Sequence, residues 1–113
     1  MIESQIQRQI YESQRNRNQK LFRNTAGYDD RRKIRYGIPN KGGCDLLGWT
    51  IINSGQGNKI AVFTGIEVKT ERGKPTERQL WFIDAIRKDG GIAGVCRSCE
   101  DVERLIDEYV KTE

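Results

Sequence analysis

Cys44-Asp45-Leu46-Leu47-Gly48-Trp49-Thr50-Ile51-Ile52, followed by the turn Asn53-Ser54-Gly55-Gln56-Gly57-Asn58 and by Lys59-Ile60-Ala61-Val62-Phe63-Thr64-Gly65-Ile66-Glu67-Val68-Lys69, is the stretch that decides the fold. Two apolar, β-branched runs joined by a Gly/Asn-rich turn read as a hairpin, with strands at about 44–52 and 59–69. Residues i and i+2 of a strand share a face. Glu67 and Lys69 therefore point the same way, and Val68 packs on the opposite face. Asp45, in the Gly-rich turn that leads into the first arm, adds a second carboxylate. Two carboxylates on adjacent strands can hold a hard cation such as Mg²⁺ through oxygen, and a lysine beside them can orient or activate an attacking water. Glu-x-Lys alone has little specificity, because a solvated salt pair at a strand end is written the same way.

Outward from the hairpin the elements alternate. Thr76-Glu77-Arg78-Gln79 is a capping box that opens a helix at about 76–88, with Gln79, Phe82, Ile83 and Ile86 on one side and Asp89-Gly90-Gly91 ending it. Gly91–Cys96 reads as a further strand. Ser98, with Asp101 three residues on, caps a last helix that ends near Lys111. Its exposed acids (Glu100, Glu103, Asp107, Glu108) would repel a polyanion, and its Leu105, Ile106 and Tyr109 side turns to the core. Toward the amino terminus, Ile2, Ile6 and Ile10 recur every four residues and predict a helix from about 2 to 19, with Gln14–Lys20 as its exposed end. At about 100° per residue, Glu3 lies roughly 60° from the centre of the Ile stripe and Glu12 roughly 120° away. Glu3 can lean toward a site under the helix, whereas Glu12 faces water. Leu21–Ala26 reads as a short strand, and Gly27–Gly43 as a long basic loop of the kind that usually carries function. The expected fold is α/β, in the order αβββαβα, a mixed sheet flanked by helices.

The 113 residues suit one domain, 1–113, that buries roughly two-thirds of its unfolded surface. A net charge of +4 conceals an asymmetry: residues 1–41 carry ten Lys/Arg against four Asp/Glu, whereas residues 42–113 carry ten against twelve. Arg15, Arg17, Lys20 and Arg23, then Arg31, Arg32, Lys33, Arg35 and Lys41, make the amino-terminal part the expected polyanion face. A solvated basic face remains the alternative reading of the same residues. No apolar run reaches 18 residues and the amino terminus is too rich in Gln and Arg for a secretory signal, so a cytoplasmic place is expected. Cys44, Cys96 and Cys99, in a chain with no histidine, provide neither a disulfide framework nor a four-ligand zinc set.

Taken in order, Glu3, Phe22-Arg23-Asn24, Gly43-Cys44-Asp45-Leu46, Glu67-Val68-Lys69-Thr70, Gly73-Lys74, Gln79 and Gly90-Gly91-Ile92-Ala93 through Ser98-Cys99-Glu100-Asp101 resemble the virus-type replication-repair nuclease (VRR-Nuc) domains of the PD-(D/E)xK superfamily. The resemblance covers nearly the whole chain. Cys44 stands where the superfamily usually has proline, a position that shapes the strand start and ligates nothing. The resemblance implies a restriction-endonuclease-like core and a Mg²⁺- or Mn²⁺-dependent DNA endonuclease. In that picture Asp45, Glu67 and the Val68 carbonyl hold the metal, and Lys69 positions the water or stabilises charge on the phosphate. Gln79 orients Lys69 or the water, Glu3 contributes the helix-borne acid, and Lys74 with the basic-loop residues grips phosphates. It also implies branched DNA, such as four-way junctions or flaps, and a homodimer. A non-catalytic nucleic-acid-binding module of the same fold, or a restriction-type or RNA-directed nuclease, are the alternatives.

Overall fold

The computed structural model describes residues 1–14, 18–25, 27–37 and 42–112. Nine elements follow one another: α1 (Glu3–Gln14), β1 (Gln19–Arg23), β2 (Gly27–Asp29), β3 (Ile34–Tyr36), β4 (Leu46–Asn53), β5 (Lys59–Val68), α2 (Glu77–Lys88), β6 (Ile92–Cys96) and α3 (Cys99–Thr112). β1, β4, β5 and β6 form one sheet in that order, antiparallel except for the parallel β5–β6 pair. The fold is α/β with a mixed four-stranded sheet between helices, as the order of sequence patterns requires of a restriction-endonuclease-like core. β2 and β3 pair separately as a small hairpin.

The hairpin β4–β5 is in register from Leu46 opposite Ile66 to Asn53 opposite Lys59. One face of it is dry. Leu46, Ile66 and Val68 are fully buried there with Ile6 and Ile10 of α1, Leu21 of β1 and Val102 of α3. The other face is covered by α2 at one end only, through Ile83 and Ile86, which pack with Cys44 and Ala93. Gly65 lies beneath that helix, and a Cβ there would come within 2.8 Å of Ile86 Cδ1 and 3.0 Å of Cys44 Sγ. α2 opens with the expected capping box: Thr76 Oγ1 accepts from the Gln79 N–H at 3.1 Å and Gln79 Oε1 accepts from the Thr76 N–H at 2.8 Å.

Two expectations need correction. The first helix is described over Glu3–Gln14, and Gln19 is not an exposed helix end but the first residue of β1, opposite Thr50 and 1% exposed. A chain of hydrogen bonds holds the Nε2 end of this buried glutamine, while its Oε1 has no partner. The Thr64 hydroxyl donates to the Val62 carbonyl (2.9 Å), so Thr50 Oγ1 donates to Thr64 Oγ1 (2.7 Å) and accepts from Gln19 Nε2 (2.9 Å). Gln19 and Leu21 are buried while Lys20 and Phe22 are exposed, the period of a half-buried strand. The second correction concerns the basic loop, which contains the β2–β3 hairpin. Asp29 Oδ1 accepts the backbone N–H groups of Arg31 (3.0 Å) and Arg32 (3.3 Å), and Lys33 takes the left-handed conformation at φ 57 that closes the turn. Lys41, Arg15 and Arg17 lie outside the described residues.

Candidate active site

Asp45 immediately precedes β4, and its position is fixed from two sides. The Asn24 N–H donates to the Asp45 carbonyl at 2.8 Å and Asn24 Nδ2 donates to the Cys44 carbonyl at 3.1 Å, so a side chain from the end of β1 shapes the strand start that the superfamily usually shapes with proline. Asp45 Oδ2 in turn accepts the Val68 N–H at 2.8 Å. That bond ties the first carboxylate to the strand that carries the second.

Glu67 points to the α2 face, as the alternation of β5 dictates, and is 1% exposed. Its Oε2 accepts from Gln79 Nε2 at 3.1 Å and pairs with Lys69 Nζ at 3.6 Å. Gln79 thus grips the glutamate and leaves the lysine to it. Glu67 Oε1 is buried with no hydrogen-bond partner. Burial, then the charge of the neighbouring Asp45, push the Glu67 carboxyl up to about 8, against the opposing pull of Lys69. Desolvation, with Glu67 and Asp45 nearby, likewise pushes the Cys44 thiol up to about 12.

These features fit a bound cation. A buried carboxylate oxygen without a donor, facing a second carboxylate, is the arrangement that a hard divalent ion relieves by supplying positive charge to oxygen ligands. Among the described residues no three His, Cys, Asp or Glu side chains gather into one group. Asp45 and Glu67 would therefore supply the side-chain ligands, and backbone oxygen and water the rest. Glu3 is exposed in the first turn of α1, a helix packed on the opposite face of the sheet from Glu67. Glu12 is also exposed and pairs with Arg8 at 3.1 Å.

Of the expected phosphate contacts, Arg31, Arg32, Lys33 and Arg35 are exposed on the β2–β3 hairpin, with Arg32 3.7 Å from Asp29 and Arg35 over the Tyr28 ring. Arg23 is exposed but stacks over Tyr11 of α1, 5.7 Å from the ring centroid. Lys74 is exposed in the loop that follows Lys69. One residue that sequence reasoning missed organises this loop: Arg97, just past β6, donates from Nη1 to the carbonyls of Thr70 (2.5 Å) and Gly73 (2.6 Å). Its pattern in the sequence is that of any surface arginine.

A family model described as the VRR-NUC domain matches residues 2–100. The chain belongs to the VRR-NUC domain family. This is a nuclease-type family, and the carboxylate pair with its lysine sits within the matched region. A solved structure described as a VRR_NUC domain protein is similar to the chain at 19% identity and a TM-score of 0.65, over 100% of this chain and 91% of the other. At that identity the likeness concerns the fold. No curated protein matches. Among the described residues, no helix of this VRR-NUC domain is long and apolar enough to cross a membrane.

Proposed function

We propose that the chain is a Mg²⁺- or Mn²⁺-dependent endonuclease that hydrolyses phosphodiester bonds in branched DNA, such as four-way junctions or flaps. The observation that carries this reading is the unpartnered, buried Glu67 Oε1 beside Asp45, with Lys69 on the same face. The ion, when bound, would activate water and offset charge on the phosphate. Asp45 and Glu67 would hold it, with the Val68 carbonyl as the third protein oxygen. Gln79 fixes the rotamer of Glu67 by occupying Oε2, which leaves Oε1 for the ion. Lys69, pre-placed by Glu67, orients the attacking water and stabilises the negative charge that builds on the scissile phosphate. Arg31, Arg32, Lys33 and Arg35, with Lys41 and Lys74, grip phosphates on either side, contacts that position DNA without reading its sequence. Arg23 belongs to that group once a phosphate competes with Tyr11 for it. Glu3, on the helix across the sheet from Glu67, is given no part in holding the ion. The domain works as a homodimer in the cytoplasm, because a two-fold pair of sites matches the two-fold symmetry of a junction.

The test is incubation of the purified protein with labelled four-way junction, flap, linear duplex and RNA, with Mg²⁺, with Mn²⁺ or with chelator. Metal-dependent cutting of a branched DNA is expected. Cutting in chelator, or of RNA alone, would overturn the proposal, and binding without cutting in every arm would identify a non-catalytic module. Sedimentation at micromolar concentration checks the dimer.

A further inference from the structure

The α2 face of the sheet extends well beyond the carboxylates. Trp49 lies four residues from Asp45 along one chain segment and Phe63 four residues from Glu67 along β5, about 13 Å at ~3.3 Å per residue. The two rings are cross-strand partners on one face. Phe22 of β1 joins them, with its ring centroid 5.9 Å from that of Trp49. All three are open to solvent, Phe22 at 53%, Trp49 at 39% and Phe63 at 49%.

The charges around the rings are one-sided. Lys20 stands directly opposite Trp49, and Lys59 occupies the same face of β5 as Phe63; both are exposed. The remaining positions of that face are Leu47, Ile51, Asn53, Ala61 and Gly65, so the carboxylates there are those of the site itself. A second copy packed strand-on-strand through this same face would bring Lys20 and Lys59 against strand positions that carry no acid beyond those of the site. A partner with flat π-faces and a negatively charged backbone satisfies both the rings and the lysines.

We propose that the Phe22–Trp49–Phe63 face is a stacking platform for the unpaired bases of a nucleic acid strand whose phosphate lies at Asp45 and Glu67. This rests on the nuclease reading and narrows it to branched substrates with unpaired bases. Bases inside a duplex already stack on one another and offer no free face to the rings. Flaps, splayed ends and the unpaired bases at the centre of an opened junction therefore fit the platform, and an unbroken duplex does not.

The probe is a short oligothymidylate added in chelator, so that binding is read without cleavage. In a Trp81→Phe background Trp49 is the sole tryptophan, and its fluorescence is expected to be quenched by oligothymidylate and not by a blunt duplex. Trp49→Ala and Phe63→Ala are each expected to weaken strand binding about ten-fold, the scale of one lost base stack. Trp49→Phe keeps a π-face and should retain most of the affinity, whereas Trp49→Leu keeps apolar area alone and should bind like Trp49→Ala. Equal quenching by duplex, or wild-type affinity in Trp49→Leu, would overturn the platform. So would variants that turn a dimer into a monomer while strand affinity is unchanged, which would make the face a subunit contact. Because no cleavage is measured, failure here leaves the metal-dependent chemistry to its own test, and failure of that chemistry does not alter the quenching result.

Discussion

On the face toward α1 and α3, β4 and β5 present Leu46, Ile66 and Val68, each sealed from solvent. On the face toward α2 the same two strands, with the residue leading into β4, present Asp45, Trp49, Phe63 and Glu67, and the helix covers only one end of them. Where polar groups occur on the first face they are chained to one another, from Gln19 through Thr50 and Thr64 to Val62. On the second face an oxygen of Glu67 is left without a donor. Residues of a strand thus divide by parity into those that hold the protein together and those that hold something else. Each face keeps a buried oxygen without a donor, the neutral amide oxygen of Gln19 on the first and a carboxylate oxygen of Glu67 on the second, and only the second is an acid that a cation would satisfy.

Substitutions on the open face should break activity and spare the fold. Asp45→Asn or Glu67→Gln should abolish cleavage at saturating Mg²⁺, because an amide cannot supply the charge that the ion requires. Lys69→Ala should lower turnover by about two orders of magnitude, the scale of losing a preorganised electrostatic group, with metal binding by calorimetry preserved. Wild-type cleavage in either carboxylate variant would remove that residue from the site. The dry face should answer in the opposite way. Ile66→Ala removes buried methyl groups from a sealed cluster and should cost about 2–5 kcal/mol in urea denaturation, with the cleavage rate per folded molecule nearly unchanged.

The comparison sharpens with pH. In metal-free protein the Glu67 carboxyl is held up at about 8, above its unfolded value, so the folded state binds this proton more tightly than the unfolded chain. That contribution is fully present below the ordinary carboxylate range of about 4.3 and is lost as pH rises toward 8. The thermal midpoint should therefore fall between about pH 5 and about pH 9, and Glu67→Gln should flatten the fall. A slope unchanged by the substitution would place the titration elsewhere. The smallest effect belongs to the β2–β3 hairpin. Replacing Arg31, Arg32 and Arg35 together with Ala should reduce the salt dependence of DNA binding by up to about three phosphate contacts and leave the chemistry of bound substrate alone. An unchanged salt slope would make the hairpin a solvated surface.

Much of this was legible in the sequence where a periodic pattern and a capping rule agreed. The arms of the β4–β5 hairpin, the Thr76–Gln79 box, β6 and α3 lie within about two residues of their expected limits, the usual uncertainty of element ends. The place of Gln79 at the site was legible from the capping box, but its partner was not: Gln79 was expected to orient Lys69 or the water, and it donates to Glu67. β1 was only partly legible, because a buried glutamine reads as polar until its threonine partners on β4 and β5 are known. The β2–β3 hairpin was hidden in a run of basic residues whose strand character comes from Tyr28, Ile34 and Tyr36 alone. Arg97 had no local pattern, as its role depends on carbonyls some 24 residues earlier in the chain.

The two carboxylates ride on the arms of a single local hairpin, whereas Gln79, Arg97 and the apolar cover of α2 arrive from farther along the chain. Local pairings close with little loss of chain entropy, so this hairpin belongs among the early contacts in folding and the parallel β5–β6 pair among the later ones. Asp45 and Glu67 can then meet while water still screens them. Their mutual repulsion is felt in full only when α2 docks and dehydrates Glu67. The electrostatic cost of the site thus falls on the last stage of assembly, and its opening would begin with the release of α2 while the β-hairpin stays intact.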